Sequence, residues 1–225
     1  MTFFYKFLII SMAAVCSLAA QEQAVFRDTH YLEDQLYLTV AYNALTSKPE
    51  GFFQQGFSGT ISGGFIKDIP LNTTRNLALG IGLGYAYDNY AHNLRVSETT
   101  SPAFSLASAG YDVNRLRTHR VVFPIEIRFR DSTPERYKFW RCYAGLQFSY
   151  VFRSKATFSG GGESETVPQL SSLDNYPYGL ILSAGYAHWN LHIYYGLNPV
   201  FKNALLAGSS LHMTDLKIGL RFYIL

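Results

Sequence analysis

The feature that most constrains this chain is a strict two-residue alternation across residues 77–87. Large apolar and aromatic side chains take every odd position, and alanine or glycine takes every even position. A period of two is that of a β-strand, whose successive side chains point to opposite faces of a sheet. A face built only of the smallest residues is typical of a crowded interior, because a face in contact with water normally carries polar side chains. The segment therefore predicts a strand with one apolar face and one tightly packed face.

The same alternation recurs along the chain and predicts eight strands. These strands cover approximately residues 34–42, 56–66, 77–87, 120–129, 140–152, 178–187, 191–197 and 216–224. The connections between them are alternately long and short. In an outer-membrane barrel with both chain ends in the periplasm, the long connections lie outside the cell and the short ones inside. The sequence thus predicts an all-β fold, an eight-stranded antiparallel up-and-down transmembrane β-barrel.

Alternation alone does not decide which face meets water, because a soluble barrel such as a lipocalin turns its apolar face inward. The small residues of the third strand favour the membrane arrangement, since eight strands leave an interior just wide enough for side chains. Aromatic residues also gather near strand ends, as in the two interfacial belts that a bilayer selects. The predicted belt residues are Trp140, Trp189 and Phe222 towards the short turns, and Tyr85, Tyr87, Tyr150, Phe152 and Tyr178 towards the long loops. The predicted location is the bacterial outer membrane, with its lipid as surroundings.

Polar residues on the second face of the strands are predicted to fill the lumen. They are Arg120, Glu126, Arg128, Arg141, Gln147, Lys217 and Arg221. Buried charges are normally paired, so we expect these side chains to satisfy one another, with a ligand or conduction role as the alternative. A hairpin closed across residues 131–136 places Glu126 opposite Arg141. Pro124 removes one ladder donor from its strand and predicts a bulge or local kink there.

The N-terminus predicts an exported protein. Residues 1–20 form a signal peptide, residues 21–33 a short periplasmic leader, and residues 34–225 the outer-membrane β-barrel. The apolar stretch from Phe7 to Ala20 is too short for a membrane-spanning helix, which needs about 20 residues. Small residues place cleavage near Ala19 or Ala20. A lipoprotein modified at Cys16 is the alternative.

Charge and motif content argue against several classes of function. The net charge is +3, and loss of Lys6 with the signal peptide gives 19 − 1 − 16 = +2, too weak to predict a nucleic-acid partner. With Cys16 removed, Cys142 is the only cysteine, so no internal disulfide is predicted. No phosphate loop, paired metal ligands or nucleophile elbow is found. We therefore predict no enzyme, catalytic residue, cofactor, metal or small-molecule substrate. The one loose candidate for a lipid-modifying site at the rim is His119 with Ser97 or Ser101.

Several segments together resemble the PorT-like family of outer-membrane β-barrel proteins. They are RDTHYLEDQ (27–35), FIKDIPL (65–71), GLGYAYDNY (82–90), FPIEIRFR (123–130), HIYYGLNPVFK (192–202) and KIGLRFYIL (217–225). The resemblance implies an accessory role in protein secretion through the type IX system, with secretion-complex proteins as partners. It implies no catalytic residue. A structural or adhesive barrel that acts through its long extracellular loops is the alternative function.

Overall fold

The computed structural model describes residues 34–97, 103–107, 110–131, 140–202, 204–206 and 208–224. These residues belong to one compact unit, Leu32–Leu225. The predicted signal peptide and leader, residues 1–33, lie outside the described residues. Within the described ranges, no helix has both the length and the apolar character needed to cross a membrane.

Eight of the strands form a closed antiparallel barrel. The strands are β1 Gln35–Thr46, β2 Gly59–Pro70, β3 Leu77–Ala91, β4 Leu94–Ser97, β5 Ala103–Leu106, β6 Tyr111–Arg130, β7 Trp140–Gly160, β8 Glu163–Pro168, β9 Tyr178–Tyr186, β10 Trp189–Gly196, β11 Leu205–Leu206, β12 Ser209–Ser210 and β13 Thr214–Ile224. Around the barrel the order is β1, β2, β3, β6, β7, β9, β10 and β13, and β13 pairs with β1 to close it. The predicted eight-stranded up-and-down barrel is confirmed.

The two faces of the barrel wall have opposite character. Along β1, Leu36 is 55% exposed on the outer face, whereas Thr39 is 2% exposed on the inner face. The same pattern continues in the other barrel strands, with leucine, isoleucine and aromatic residues outward and charged residues buried inward. An apolar outer wall of this extent requires a membrane around it, because soluble proteins rarely expose large contiguous apolar patches. The barrel is therefore of the transmembrane type, and the soluble alternative is wrong.

Two strands of the barrel are much longer than predicted. β6 has 20 residues and β7 has 21, whereas a tilted membrane strand needs about 9–11. The extra length of β6 runs from Tyr111 to His119, where the outward positions include arginine instead of apolar residues. The apolar alternation of the sequence stops at the expected boundary of the bilayer, but the hydrogen-bonded pairing of β6 with β7 continues beyond it. The β6–β7 hairpin therefore extends beyond the barrel wall and supports the loops.

The predicted register of the β6–β7 hairpin is wrong by four residues. Glu126 pairs with Gly145 and not with Arg141, whose Cα partner is Arg130. β6 ends at Arg130 and β7 begins at Trp140, and the backbone N–H of Asp131 donates to the carbonyl of Trp140 at 3.1 Å. A shift by an even number leaves every side chain on its predicted face, so facing alone could not reveal the error.

Pro124 lies in β6 without the predicted bulge. The β3–β6 register is the same on both sides of it, from the Ile81–Ile125 pair to the Gly84–Val122 pair, with an interruption between them. The ring is accommodated by Gly82, where a β-carbon would lie 2.8 Å from Pro124 Cγ. Register shifts in the pairing of β6 with β7 instead fall between Tyr111 and Val113 and between His119 and Arg120.

Candidate functional site: the barrel interior and the loop cap

The structure places all seven predicted lumen residues inside the barrel. None is more than 7% exposed; they are Arg120, Glu126, Arg128, Arg141, Gln147, Lys217 and Arg221. They are joined by buried charged residues that the sequence analysis missed, namely Asp68, Asp88, Arg130 and Asp215. We call this set the interior network. Its described members comprise six basic and four acidic side chains, so its formal charge is 6 − 4 = +2.

At the end of the barrel near the short turns, Asp68 of β2 holds two arginines. Its two carboxylate oxygens pair with Arg128 and Arg130, both fully buried. Arg128 also donates to the side-chain oxygen of Gln35 on β1. Asp68 was missed because the predicted second strand stopped at residue 66, four residues before β2 ends at Pro70. Its inward position follows from the two-residue period once the strand is extended.

In the middle of the barrel, Glu126 pairs with Arg221 and not with Arg141 as predicted. The Glu126 Oε1 to Arg221 Nη1 distance is 3.0 Å, and Arg221 Nε donates to Thr39 Oγ1 at 2.9 Å. Arg221 Nη2 lies 3.0 Å from His192 Nε2. Because a guanidinium only donates, Nε2 accepts and the proton of the neutral ring is on Nδ1. Nδ1 then donates to Ser183 Oγ at 2.7 Å.

Near the long loops, Asp88 of β3 accepts from two cations. Arg120 donates from Nε at 2.7 Å and from Nη2 at 3.1 Å, and Lys217 Nζ contacts the same carboxylate. Thr118 Oγ1 donates to it at 2.9 Å. Lys217 is also 3.2 Å from Asp215. Asp88 was missed for the same reason as Asp68, because the predicted third strand stopped at residue 87.

The glycines of β3 make room for large interior side chains. A β-carbon at Gly80 would collide with the stem of Arg128, and one at Gly84 with the hydroxyl of Tyr37. The Arg221 guanidinium lies 4.6 Å from the centre of the Tyr37 ring, within cation–π range. The alanine and glycine residues on the inner face of β3 therefore leave the space that the interior arginine and tyrosine side chains occupy.

Beyond the barrel, the loops pack a second apolar core, which we call the loop cap. Its described buried members are Leu45, Phe52, Tyr90, Leu94, Val96, Phe104, Leu116, Val151, Ala156, Leu170, Leu173, Phe201, Ala204, Leu211 and Met213. A small sheet of β4, β5, β11 and β12 lies in the cap. Arg95 of β4 ties this sheet to β8 through Glu163 at 2.8 Å and Glu165 at 3.0 Å. The hydrogen bond from Ser97 and the Arg95 cation lower the pKa of Glu165.

Several openings occur near the described cap residues, among them one cavity and one groove. A cavity of about 40 Å³ lies beside Asp88, Arg120 and Tyr194, large enough for a few water molecules. A groove of about 870 Å³ lies between the β1–β2 loop and the β11–β12 hairpin. Its lining consists of residues 47–50, 104–106, 206 and 209–212. Apolar side chains such as Phe104 and Leu206 line it beside serine, lysine and glutamate.

The predicted belt residues all lie on the outer wall or at its ends. Tyr85, Trp140, Tyr150, Phe152, Tyr178 and Trp189 are exposed, and Tyr87 and Phe222 are half-buried. Trp189 packs edge-on against Phe222 with ring centres 5.0 Å apart. The sequence analysis did not place His119 in a belt, yet its ring lies 5.2 Å from that of Tyr87.

Among the described residues, the structure does not bring His119 together with Ser97 as a rim catalytic pair. His119 Nδ1 lies 2.6 Å from the Tyr85 hydroxyl on the outer wall. Ser97 Oγ instead donates to Glu165 Oε1 at 2.7 Å, and Ser101 is outside the described residues. No group of three or more potential metal ligands occurs within the described ranges.

A closed eight-stranded barrel with an apolar wall and a charged interior defines an integral outer-membrane β-barrel protein. The chain belongs to the outer membrane protein beta-barrel domain family, whose model matches residues 19–202.

Two solved structures are also similar to this chain. One is Ail, the attachment invasion locus protein of Yersinia pestis, with 14% identity over 84% of this chain and 97% of that chain, at a TM-score of 0.32. The other is the same protein in complex with the heparin analogue sucrose octasulfate, with 16% identity over 85% and 99%, at a TM-score of 0.35. No curated protein matches this sequence.

Proposed function

We propose that this chain is a non-enzymatic, non-conducting barrel that serves as an accessory component of secretion or envelope machinery through its loop cap. The observation that supports this proposal is the interior network, whose buried charged side chains come from several strands of an eight-stranded barrel. Asp68, Glu126 and Asp88 each hold cations from other strands, at three successive levels of the barrel. An interior of this width has room for side chains and none for a passing solute.

If nothing passes through the lumen, a partner has to meet the loops or the outer wall. The loop cap supports the first of these, because it has a packed core of its own and long strands that hold it. Loops that only connect strands need neither a packed core nor long supporting strands. A preformed groove lined by both apolar and polar side chains is the kind of surface that a protein partner can bind without large rearrangement.

The resemblance of six segments to the PorT-like family supports a secretion role among the functions that such a surface serves. An adhesive role is the second candidate. It is favoured by Leu205 of β11, which is 58% exposed and precedes the groove residue Leu206. Both functions use the same surface, and they differ in whether the bound partner belongs to the same cell.

Planar-bilayer recording of the purified protein tests the non-conducting part of the proposal. We expect no stable single-channel steps, because the network closes the lumen. Large ohmic steps would contradict it and would make transport the leading function. The sample should first show heat-modifiable migration on a gel, which demonstrates that the barrel is folded. An absence of channel steps then cannot result from unfolded protein.

A deletion strain tests the secretion part. We expect loss of proteins released into the medium, restored by the wild-type chain and by Ser164→Asp, which changes an exposed residue of β8 away from the groove. Leu205→Asp should fail to restore release while reaching the outer membrane in normal amount. Normal release with loss of surface attachment would instead establish the adhesive role.

A further inference from the structure

Four basic side chains lie together on the outer wall of the β6–β7 hairpin. Arg115 and Arg117 come from β6, and Arg153 and Lys155 come from β7. Arg115, Arg153 and Lys155 are exposed, and Arg117 is half-buried. We call this group the basic wall. It belongs neither to the interior network nor to the loop cap, since its side chains point to the outside of the barrel.

The register of the hairpin places like charges opposite each other. Arg117 and Lys155 are direct Cα partners, and Arg153 is the partner of His119. Like charges that face each other directly destabilise a strand pair. A protein that keeps this arrangement needs an anion near it to offset the repulsion.

The protein does not supply that anion from its described residues. No carboxylate there lies within ion-pair distance of the four side chains, and Arg117 Nε is buried without a hydrogen-bond partner in the same ranges. On the neighbouring strand, Asn89 faces Arg117 and Ala91 faces Arg115. The basic wall is therefore a concentration of positive charge open to the surroundings of the barrel.

Other described strands of the barrel do not repeat this feature on their outer faces. There the outward positive charge is Lys67, which lies at the opposite end of the barrel and is paired with Asp34 at 2.6 Å. The basic wall is thus confined to one sector of the circumference and to one end.

The height of the basic wall matches that of lipid headgroups. Tyr85, Phe152 and His119 form an aromatic cluster with ring centres 6.1–6.3 Å apart, at the level of Arg153 and below the other three basic residues. Aromatic belts sit at the boundary between hydrocarbon and headgroups. Arg117 is two residues beyond His119, which is about 7 Å along a strand. With the long connections outside the cell, this end of the barrel lies in the outer leaflet.

We propose that the basic wall binds the phosphate-bearing headgroup of the glycolipid that forms the outer leaflet. Guanidinium groups form two-point hydrogen bonds with phosphate, and basic clusters beside a membrane segment attract anionic headgroups. The aromatic cluster below would contact the upper acyl chains of the same lipid. The site goes beyond the function proposed above, because it lies on the lateral wall and not on the cap.

Binding of purified rough lipopolysaccharide to the full chain in detergent tests this proposal. The test variant is Arg117→Gln with Lys155→Gln. The control is Lys48→Gln with Lys67→Gln, which removes the same charge from exposed sites outside the basic wall. We expect the test variant to bind roughly 30-fold more weakly, from the usual contribution of two basic residues near a charged surface, and the control to bind as the wild type does.

The unfolding temperature supplies a second readout. Without lipid the test variant should unfold no lower than the wild type, because the like-charge contact is gone; with lipopolysaccharide the wild type should become the more stable protein. Dephosphorylated lipopolysaccharide should not stabilise the wild type in this way, and neither should inorganic phosphate alone. Equal binding by test and control variants, or stabilisation by inorganic phosphate, would overturn the proposal and in the second case assign the site to a soluble anion.

Discussion

Arg120 donates two hydrogen bonds to the Asp88 carboxylate, from Nε at 2.7 Å and from Nη2 at 3.1 Å, and both side chains are almost completely buried. Lys217 of β13 contacts the same carboxylate from across the lumen. One acidic residue thus holds cations from strands β6 and β13, which are not neighbours in the sheet. Such contacts connect opposite sides of the wall in addition to the hydrogen-bonded ladders.

We expect Asp88→Asn to lower the free energy of unfolding by about 3–5 kcal/mol, because it leaves two buried cations without their shared carboxylate. Urea unfolding of the barrel in lipid vesicles, followed by tryptophan fluorescence, measures this change. Asp112→Asn is the matched control, since Asp112 is an exposed carboxylate on β6, the strand that pairs with β3. An equal loss in both variants would show that the Asp88 ion pairs do not stabilise the barrel.

Ile81 lies on the outer face of β3 and is 45% exposed. We expect Ile81→Arg to destabilise the barrel by about 2–4 kcal/mol, because it places a charge in the hydrocarbon layer. Ile81→Leu keeps the apolar contact and should be nearly neutral. The same unfolding experiment measures both, and a normally stable Ile81→Arg protein would contradict the assigned facing of β3.

The loop cap should loosen in mild acid. His92 is buried against the cap residue Phe52, with ring centres 5.8 Å apart. Burial lowers the pKa of His92 to about 4, against 6.5 for an exposed histidine. Between these values the open cap binds a proton that the closed cap does not, so cap stability falls as the pH drops from 6.5 towards 4, by about 3 kcal/mol in total. Ion pairs and hydrogen bonds lower the pKa of Glu165 and Asp174, so these carboxylates titrate at lower pH.

Limited proteolysis of the loops at pH 7.5 and pH 5 measures this loosening, with the variants compared at each pH. His92→Gln should lose the dependence on pH, even if its cap is less stable throughout. His212→Gln, a change at an exposed histidine, should keep it. Identical pH dependence in wild type and His92→Gln would exclude His92 as the cause.

Epitope insertions test which end of the barrel faces the outside of the cell. Gly161 lies at the tip of the β7–β8 turn with open space around it, and Thr74 lies in the short β2–β3 turn. We expect antibody to reach an epitope at Gly161 on intact cells and one at Thr74 only after permeabilisation, because long connections face outward. The reverse result would invert the barrel and also remove the basis for the basic wall.

The sequence predicted what the two-residue period encodes, and little beyond it. Facing is fixed by that period, so the outward position of Ile81 and the inward position of Arg221 could both be derived. The period does not fix the register of paired strands. The observed pairing of Glu126 with Gly145 differs from the predicted pairing with Arg141 by four residues, an even number that leaves every side chain on the same face. Strand ends were placed too early because the apolar alternation stops at the membrane boundary, which hid Asp68 and Asp88.

The loop cap could not be derived from the sequence. Its core joins residues such as Leu94, Leu173 and Met213, which come from separate connections and follow no common period. Their contacts depend on where eight strand ends bring the loops together. In the same way, the groove and the basic wall follow from the closed barrel and the actual register, neither of which a single sequence fixes.

The pairing of β1 with β13 has a consequence for how the protein is made. The first and last strands meet along the whole seam, from the Leu36–Ile224 pair to the Thr46–Thr214 pair. Until β13 has been synthesised, Glu126 lacks Arg221, Asp88 lacks Lys217, and two strand edges stay open. The barrel therefore cannot close before β13 is present, and we expect a polypeptide truncated ahead of β13 to keep two open strand edges and not to form a smaller working barrel.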